Sequence, residues 1–326
     1  MIITVTLNAA MDRTLAVPNF RLGQRHRSVV QASMAGGKGV NVARALKALG
    51  QPVIATGVAG GATGTRIIEQ LTEEAILNDF VRIREESRTS TAVVDPTSGV
   101  QTEINERGPE VSEGELELFV DKLLYLAKGA GFCIFSGSLP RGVAPGLYAD
   151  LIGELRKIGV TTLLDAEGES LRLGTRAEPT VVTPNEPEAE ELVGHEFADA
   201  EDRPSVLREI VELGAREAIM TSPQGCLALL EDPAEPAGTK CMYSATFQGA
   251  VEPASAVGSG DAFLAGYVAA RYRGSAPEEC LRFAVACGAE STEHMGAGMI
   301  DARKVERLAA EVAVDALPEP VLDSAG

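Results

Sequence analysis

A chain of 326 residues, 45% hydrophobic and 23% charged, is long enough to bury a full core, and this composition excludes a disordered, fibrous or membrane-spanning protein. The formal net charge of −18 sets the surface against nucleic-acid phosphates and anionic membranes, so neither is expected as a partner. The same charge repels a phosphorylated small molecule, unless the few basic residues gather where its phosphate sits.

The opening MIITVTLNAA lacks a basic leader pattern. Ile2–Leu7 reads as a buried strand, with Asn8 and Asp12 at its carboxyl end, where open α/β sheets place ligands. Thr14–Met34 alternates like a strand and carries Arg25 and Arg27 two apart, hence on one strand face. In Ala35-Gly-Gly-Lys-Gly-Val-Asn-Val-Ala43 the paired glycines precede a predicted helix, Val40–Leu49, that stops at Gly50. Lys38 and Asn41 lie one turn apart at its start and can face one ligand. The glycine spacing is not that of a P-loop, and the pair taken alone reads equally as a tight turn.

Val53–Val58 is the next strand. Arg88 opens Thr89–Asn105, in which TAVVD-PTSG-VQTEIN has Pro96 and Gly99 placed for a hairpin turn. The two alternating stretches together predict a small β-lid inserted in an α/β domain. Ser112 and Glu115 form a capping box for a helix through Leu126. Strand Phe132–Phe135 runs into Ser136-Gly-Ser-Leu-Pro140, helix Leu147–Ile158 follows, and Val160–Leu164 and Thr180–Thr183 read as strands. Asn185-Glu-Pro-Glu188 sits where a turn, a cap or a ligand contact is equally reasonable. Helix Val206–Leu213 leads to strand Ala218–Thr221, and Asp261–Tyr272 and Pro277–Glu290 read as helices. Strands alternating with helices predict a mostly parallel, doubly wound sheet. The Pro-rich end, residues 316–326, is expected to be a disordered tail.

The strongest local signal is Ala256-Val-Gly-Ser-Gly-Asp-Ala-Phe263. An acid in a first helical turn is ordinarily a cap. Capping alone does not call for three small residues at Gly258, Ser259 and Gly260, and small residues before a helix N-terminus let an anion approach its N–H groups. The functional reading is a loop that holds a transferring phosphoryl while Asp261 takes the proton of the attacking hydroxyl. Five scattered cysteines without C-x-x-C spacing fit a reducing, cytoplasmic setting. His26, His195 and His294 show no metal spacing.

From Met1 to about Ala309 the chain resembles the ribokinase-like sugar kinases, the phosphofructokinase B family. GGKGVNVA is similar to that family's N-terminal signature and AVGSGDAF to its C-terminal one. TLNAAMDRT, TEINERGPE and SGSLPRGV are closest to the branch acting on ketohexose phosphates. The resemblance implies a three-layer α/β/α fold, with residues 1–12, 35–87 and 106–315 as the kinase domain and 13–34 and 88–105 as a β-lid that often mediates homodimer contact. It implies Asp261 as base, with the backbone of Gly258, Ser259 and Gly260 as anion hole. Asp12, Gly37, Lys38, Asn41 and Ser136 would hold the sugar, and Arg27 and Arg88 its phosphate. Asn185 and Glu188 would bind ATP, with Glu188 organising Mg²⁺ indirectly through water, and Thr221, Ser222 and Gly225 would meet the nucleotide. The expected reaction is ATP-dependent conversion of D-fructose 1-phosphate to fructose 1,6-bisphosphate, with tagatose 6-phosphate or fructose 6-phosphate as alternative substrates. A non-catalytic sugar-phosphate sensor is the alternative of another class, which an intact Asp261 and its glycine loop argue against. Ser255-Ala256 stand where ribokinase-type members carry Asp-Thr beside a monovalent cation, so that cation stays open. Arg141, where the branch commonly has proline, is expected to add a cation near the site.

Overall fold

The computed structural model describes residues 1–197, 200–233, 236 and 238–317. Ile2–Thr6 (β1) is buried at every position because both of its faces meet apolar layers. Ile2 joins the core on one side of the sheet, and Ile3 and Val5 join the core on the other. The chain continues as β2 (Ala10–Ala16), β3 (Val30–Gly36), α1 (Lys38–Ala48), β4 (Val53–Gly60), α2 (Gly61–Glu73), β5 (Leu77–Ile83), β6 (Arg88–Val94) and β7 (Gln101–Asn105). Next come α3 (Glu113–Ala127), β8 (Phe132–Ser136), α4 (Leu147–Lys157), β9 (Thr161–Asp165), α5 (Gly168–Arg176), β10 (Val181–Val182) and α6 (Glu186–Val193). The last elements are α7 (Arg203–Glu212), β11 (Glu217–Ser222), β12 (Gly225–Glu231), β13 (Lys240–Phe247), α8 (Ser259–Tyr272), α9 (Pro277–Ser291), α10 (Ala302–Ala309) and β14 (Val312–Leu317).

The main sheet has ten strands in the order β14-β13-β12-β11-β10-β9-β8-β1-β4-β5. From β11 to β5 every pairing is parallel, and β12, β13 and β14 extend the sheet antiparallel. One apolar layer takes Val40 of α1, Ile67 of α2, Val268 of α8, Leu281 of α9 and Val305 of α10. The other takes Phe119 of α3, Ile152 of α4, Leu171 of α5, Ala189 of α6 and Leu207 of α7. The result is a three-layer α/β/α fold. The chain leaves β1 toward β4 on one side and returns at β8 on the other, so the loops beyond β1 and β8 part at their carboxyl ends. A crevice at such a switch point is where open α/β sheets bind ligands.

A second, four-stranded sheet has the order β3-β2-β6-β7. Its register sets Asp12 opposite Ser90, Ser90 opposite Asn105, and Ala92 opposite Glu103. These residues therefore share one face of the sheet. The predicted hairpin forms: Asp95 and Val100 are bonded across the turn, and Gly99 takes φ 73°, a left-handed angle favouring glycine.

The stretch Thr14–Met34 is not one strand. Residues 17–29 form an irregular connection between β2 and β3, so Arg25 and Arg27 share no strand face. The alternation there lacks a buried partner face, and Arg25, Arg27 and Val29 are all exposed. Strand Thr180–Thr183 shrinks to the two residues of β10, supplemented by a bridge from Asn185 to Thr221. Of the expected tail, Ala316 and Leu317 belong to β14, and residues 318–326 lie outside those described. All five cysteines are free. Among the described residues no helix is long and apolar enough to cross a membrane.

Candidate active site

A cleft of about 500 Å³ lies at the carboxyl ends of the parallel strands. The main sheet contributes Asn8 after β1, Ser136 at the end of β8, Asp165 at the end of β9, Asn185 after β10 and Thr221 of β11. Arg88, Glu103 and Asn105 of the small sheet form the opposite wall. The N-termini of α1 and α8 supply Lys38, Asn41, Gly258, Gly260 and Asp261.

Gly258 is the N-cap of α8 at φ 80°, which a residue with a Cβ adopts only under strain. That turn brings the glycine backbone to the cleft and sets Asp261 in the first helical turn, 6% exposed. Asn41 Nδ2 donates to Asp261 Oδ2 at 2.8 Å. Burial is the main reason the Asp261 carboxyl titrates at about 7, far above an ordinary aspartate. The Asp165 charge pushes in the same direction, while the Asn41 bond and Lys38 oppose it.

Lys38 is the first residue of α1, and its Nζ lies 3.0 Å from Asp165 Oδ1 and 3.8 Å from Glu188 Oε1. Burial opposes its charge, but Asp165 and Glu188 outweigh burial and hold the ammonium protonated. Asn185 caps α6: its Oδ1 accepts from the Glu188 N–H, and Glu188 Oε2 accepts from the Asn185 N–H, each at 2.9 Å. That capping box leaves Glu188 Oε1 turned toward Lys38. Asn8 Oδ1, Ser136 Oγ and Thr183 Oγ1 are buried in the cleft wall without a hydrogen-bond partner in the protein. Buried polar atoms are normally bonded, so a polar ligand is the natural partner here.

Asp12 and Gly37 line an adjoining cavity beneath the small sheet, together with Asn41, Arg88 and Glu103. Burial raises the Asp12 carboxyl to about 6, against the pull of Arg88 and Arg44. Several expected residues fall elsewhere. Arg27 sits in the exposed 17–29 connection and is absent from both cavity walls of its own chain. The Ser259 N–H turns back to the Ala256 carbonyl at 3.3 Å, so of the three small residues Gly258 and Gly260 face the cleft. Ser222 and Gly225 border a separate depression along the β11–β12 turn, leaving Thr221 in the cleft. Arg141 is tied to Glu85 at 3.0 Å and to the Gly108 carbonyl at 2.9 Å, away from the cleft.

The sequence reading missed Asp165, Glu167, Glu103 and Ser138, all in the cleft wall. Asp165 had a legible signal, an acid one position past the predicted strand Val160–Leu164.

The match to known proteins is continuous. The model for "pfkB family carbohydrate kinase" covers residues 4–303. The chain belongs to that family. A 1-phosphofructokinase of Borreliella burgdorferi is 32% identical over 288 residues, spanning 88% of this chain and 90% of that protein. A tagatose-6-phosphate kinase of Staphylococcus epidermidis is 32% identical over 319 residues, 96% of this chain and 99% of the relative. Phosphofructokinase-2 of Escherichia coli, solved with substrates and products, superposes with a TM-score of 0.87 at 28% identity, covering 95% of this chain and 98% of that one. The fold is ribokinase-like, and the pfkB member described here is a phosphosugar kinase.

Proposed function

We propose that this kinase transfers the γ-phosphoryl of ATP to D-fructose 1-phosphate, with Asp261 as the base. The observation that carries the reading is the meeting of a buried Asp261, the glycine turn at the α8 N-terminus, Lys38 and Arg88 in one cleft. The sugar hydroxyl oxygen attacks the γ-phosphorus as the bond to the β-phosphate oxygen breaks. Its proton passes to an Asp261 carboxylate oxygen, and ADP leaves. The α8 N-terminus at Gly258 and Gly260 and the Lys38 ammonium meet the transferring oxygens, where backbone N–H groups and a fixed cation favour an anion. Arg88, flanked by Asn8 and Asn105, meets the phosphate already on the sugar. The partnerless Ser136 Oγ and Asn8 Oδ1 take polar groups of the substrate, and Asp12 takes a sugar hydroxyl.

The residues present fit a hydrated Mg²⁺: the Glu188 carboxylate faces the cleft and keeps Oε1 outside its capping bond. Glu188 would hold the ion through water, and the ion would supply positive charge to offset that of the nucleotide phosphates. Exposed Val30 and Ile104 on the edge strands of the small sheet support a homodimer formed through that sheet.

Tagatose 6-phosphate and fructose 6-phosphate are the second reading, supported by the names of the Staphylococcus epidermidis and Escherichia coli relatives. A ketohexose furanose presents either end to the base, which is why one cleft serves both readings. Coupled ADP release across ketohexose phosphates, free hexoses and nucleosides tests the assignment. The highest kcat/KM is expected on D-fructose 1-phosphate, and a higher value on a 6-phosphate or a free sugar overturns it.

A further inference from the structure

Arg44 stands one turn after Asn41 on α1, 5% exposed, behind the cleft wall. Its guanidinium uses every N–H it has. Nε donates to Glu74 Oε2 at 2.6 Å, and Nη2 to Glu74 Oε1 at 3.0 Å and the Ala35 carbonyl at 2.7 Å. Nη1 donates to the Ala297 carbonyl at 3.1 Å and Asn41 Oδ1 at 3.4 Å. The bonds to Glu74 and Ala35 are those of a structural rivet joining α1 to the end of α2 and to β3.

The two bonds of Nη1 reach the surroundings of Asp261 instead. A primary amide has an accepting end and a donating end, and an arginine accepts nothing. The end of Asn41 facing Arg44 must therefore be oxygen, which leaves its NH₂ to donate to Asp261 Oδ2. Ala297 is the second link. A Cβ on Gly258 would lie 2.5 Å from Ala297 Cβ, and one on Gly298 would lie 2.4 Å from the Asn41 carbonyl oxygen. The Ala297 segment is thus wedged between the cap of α8 and α1, and Arg44 holds its carbonyl.

We propose that Arg44 is a positioning residue: without touching substrate it fixes the Asn41 amide as a donor to Asp261 and seats the Ala297 segment against Gly258. The inference rests on the reading of Asp261 as base. An unheld Asn41 is free to turn its oxygen to the protonated carboxyl and accept its O–H, which favours the neutral form and moves the base's titration to higher pH. The other groups acting on Asp261, namely Asp165, Lys38 and Asp12, are not among the hydrogen-bond partners of Arg44. Arg44 also favours the Asp12 charge, so the informative change is Arg44→Lys, which keeps the cation and loses the fork.

The experiment is the pH profile of kcat/KM for wild type, Arg44→Lys, Asn41→Ala and the double variant. Melting temperatures and KM for ATP are measured alongside. Arg44→Lys is expected to move the acidic limb upward by about half a pH unit or more, with little change in KM for ATP. In the Asn41→Ala background the same change should move the limb no further, because Arg44 acts through that amide. A fall in melting temperature with an unmoved limb, or a further shift of the same size when Arg44→Lys is added to Asn41→Ala, overturns the proposal. If Arg44→Lys does not fold, Glu74→Gln loosens the same guanidinium from a half-exposed position. An upward shift of the limb then supports the proposal and an unmoved limb overturns it. A wild type that turns over no sugar phosphate overturns the kinase assignment instead, so the two failures are distinct.

Discussion

Asp261 has two demands on it that pull apart. Burial holds its carboxyl protonated up to about pH 7, whereas a base must be ionised to accept the hydroxyl proton. The raised value is useful, since a base titrating near the working pH balances proton affinity against the fraction ionised. The sign of the pH dependence follows. Below the midpoint Asp261 carries its proton and cannot act, so kcat/KM should rise with pH through a midpoint at about 7. A profile flat from pH 5 to pH 8 would count against Asp261 as base. Residue by residue, legibility tracked whether a side chain's role is local. Asp261, Lys38 and Asn41 sit in short signatures at helix starts, where position alone fixes which way they face. Asp165 and Glu167 act through Lys38 and the far wall, contacts made between strands distant in sequence; the place of Asp165 at a strand end was legible, its partner was not. Arg27 shows the converse: alternation suggested a strand, but the bonds to β6 and β2 stop at Val17 and Val29, and residues 18–28 belong to no strand.

At the scale of elements, the start of α8 is the part most exposed to test. Gly258→Ala places a methyl group in a left-handed backbone, a strain of about 1–2 kcal/mol. That methyl also lies 2.5 Å from Ala297 Cβ. The helix start must shift, so kcat should fall at least about tenfold with a lowered melting temperature, while far-ultraviolet circular dichroism stays native. Unchanged kcat would remove this turn from the anion-binding machinery. Elements closed by their own sequence were legible: Ser112 and Glu115 form the expected capping box, with Glu115 Oε2 accepting from the Ser112 N–H at 2.9 Å. Helix α2 was missed because glycine at 61 and 64 interrupts its pattern. Those glycines are there for packing, since a Cβ at Gly64 would lie 2.6 Å from the Ala59 carbonyl carbon. The β12–β13 hairpin was missed because its pairing, not its composition, defines it.

Across the whole molecule, alternation of strands and helices announced a parallel sheet, and the switch point at β1 then placed the cleft. Composition could not show that β12, β13 and β14 extend the sheet antiparallel, because strand direction is settled by partners. The small sheet meets the cleft through Arg88, Glu103 and Asn105, and exposes Val30 and Ile104 on its edges. A thin sheet with little core of its own has low local stability. Sugar phosphate bound between Arg88 and Lys38 should tie it to the main sheet and exclude water from the transferring phosphoryl. Amide exchange in β2, β3, β6 and β7 should slow on adding the sugar phosphate, with little change in α8. Equal rates with and without it would contradict closure.

The central claim, that a buried aspartate at a helix start drives phosphoryl transfer to a sugar phosphate, meets its most direct test in Asp261→Asn. The amide keeps the shape and can still bond Asn41, but it cannot take the hydroxyl proton. Turnover of D-fructose 1-phosphate should drop on the order of 10²–10⁴-fold, while the dissociation constant for ATP, measured by calorimetry on the same preparation, stays within about twofold. A variant that keeps more than about a tenth of wild-type kcat would contradict the account.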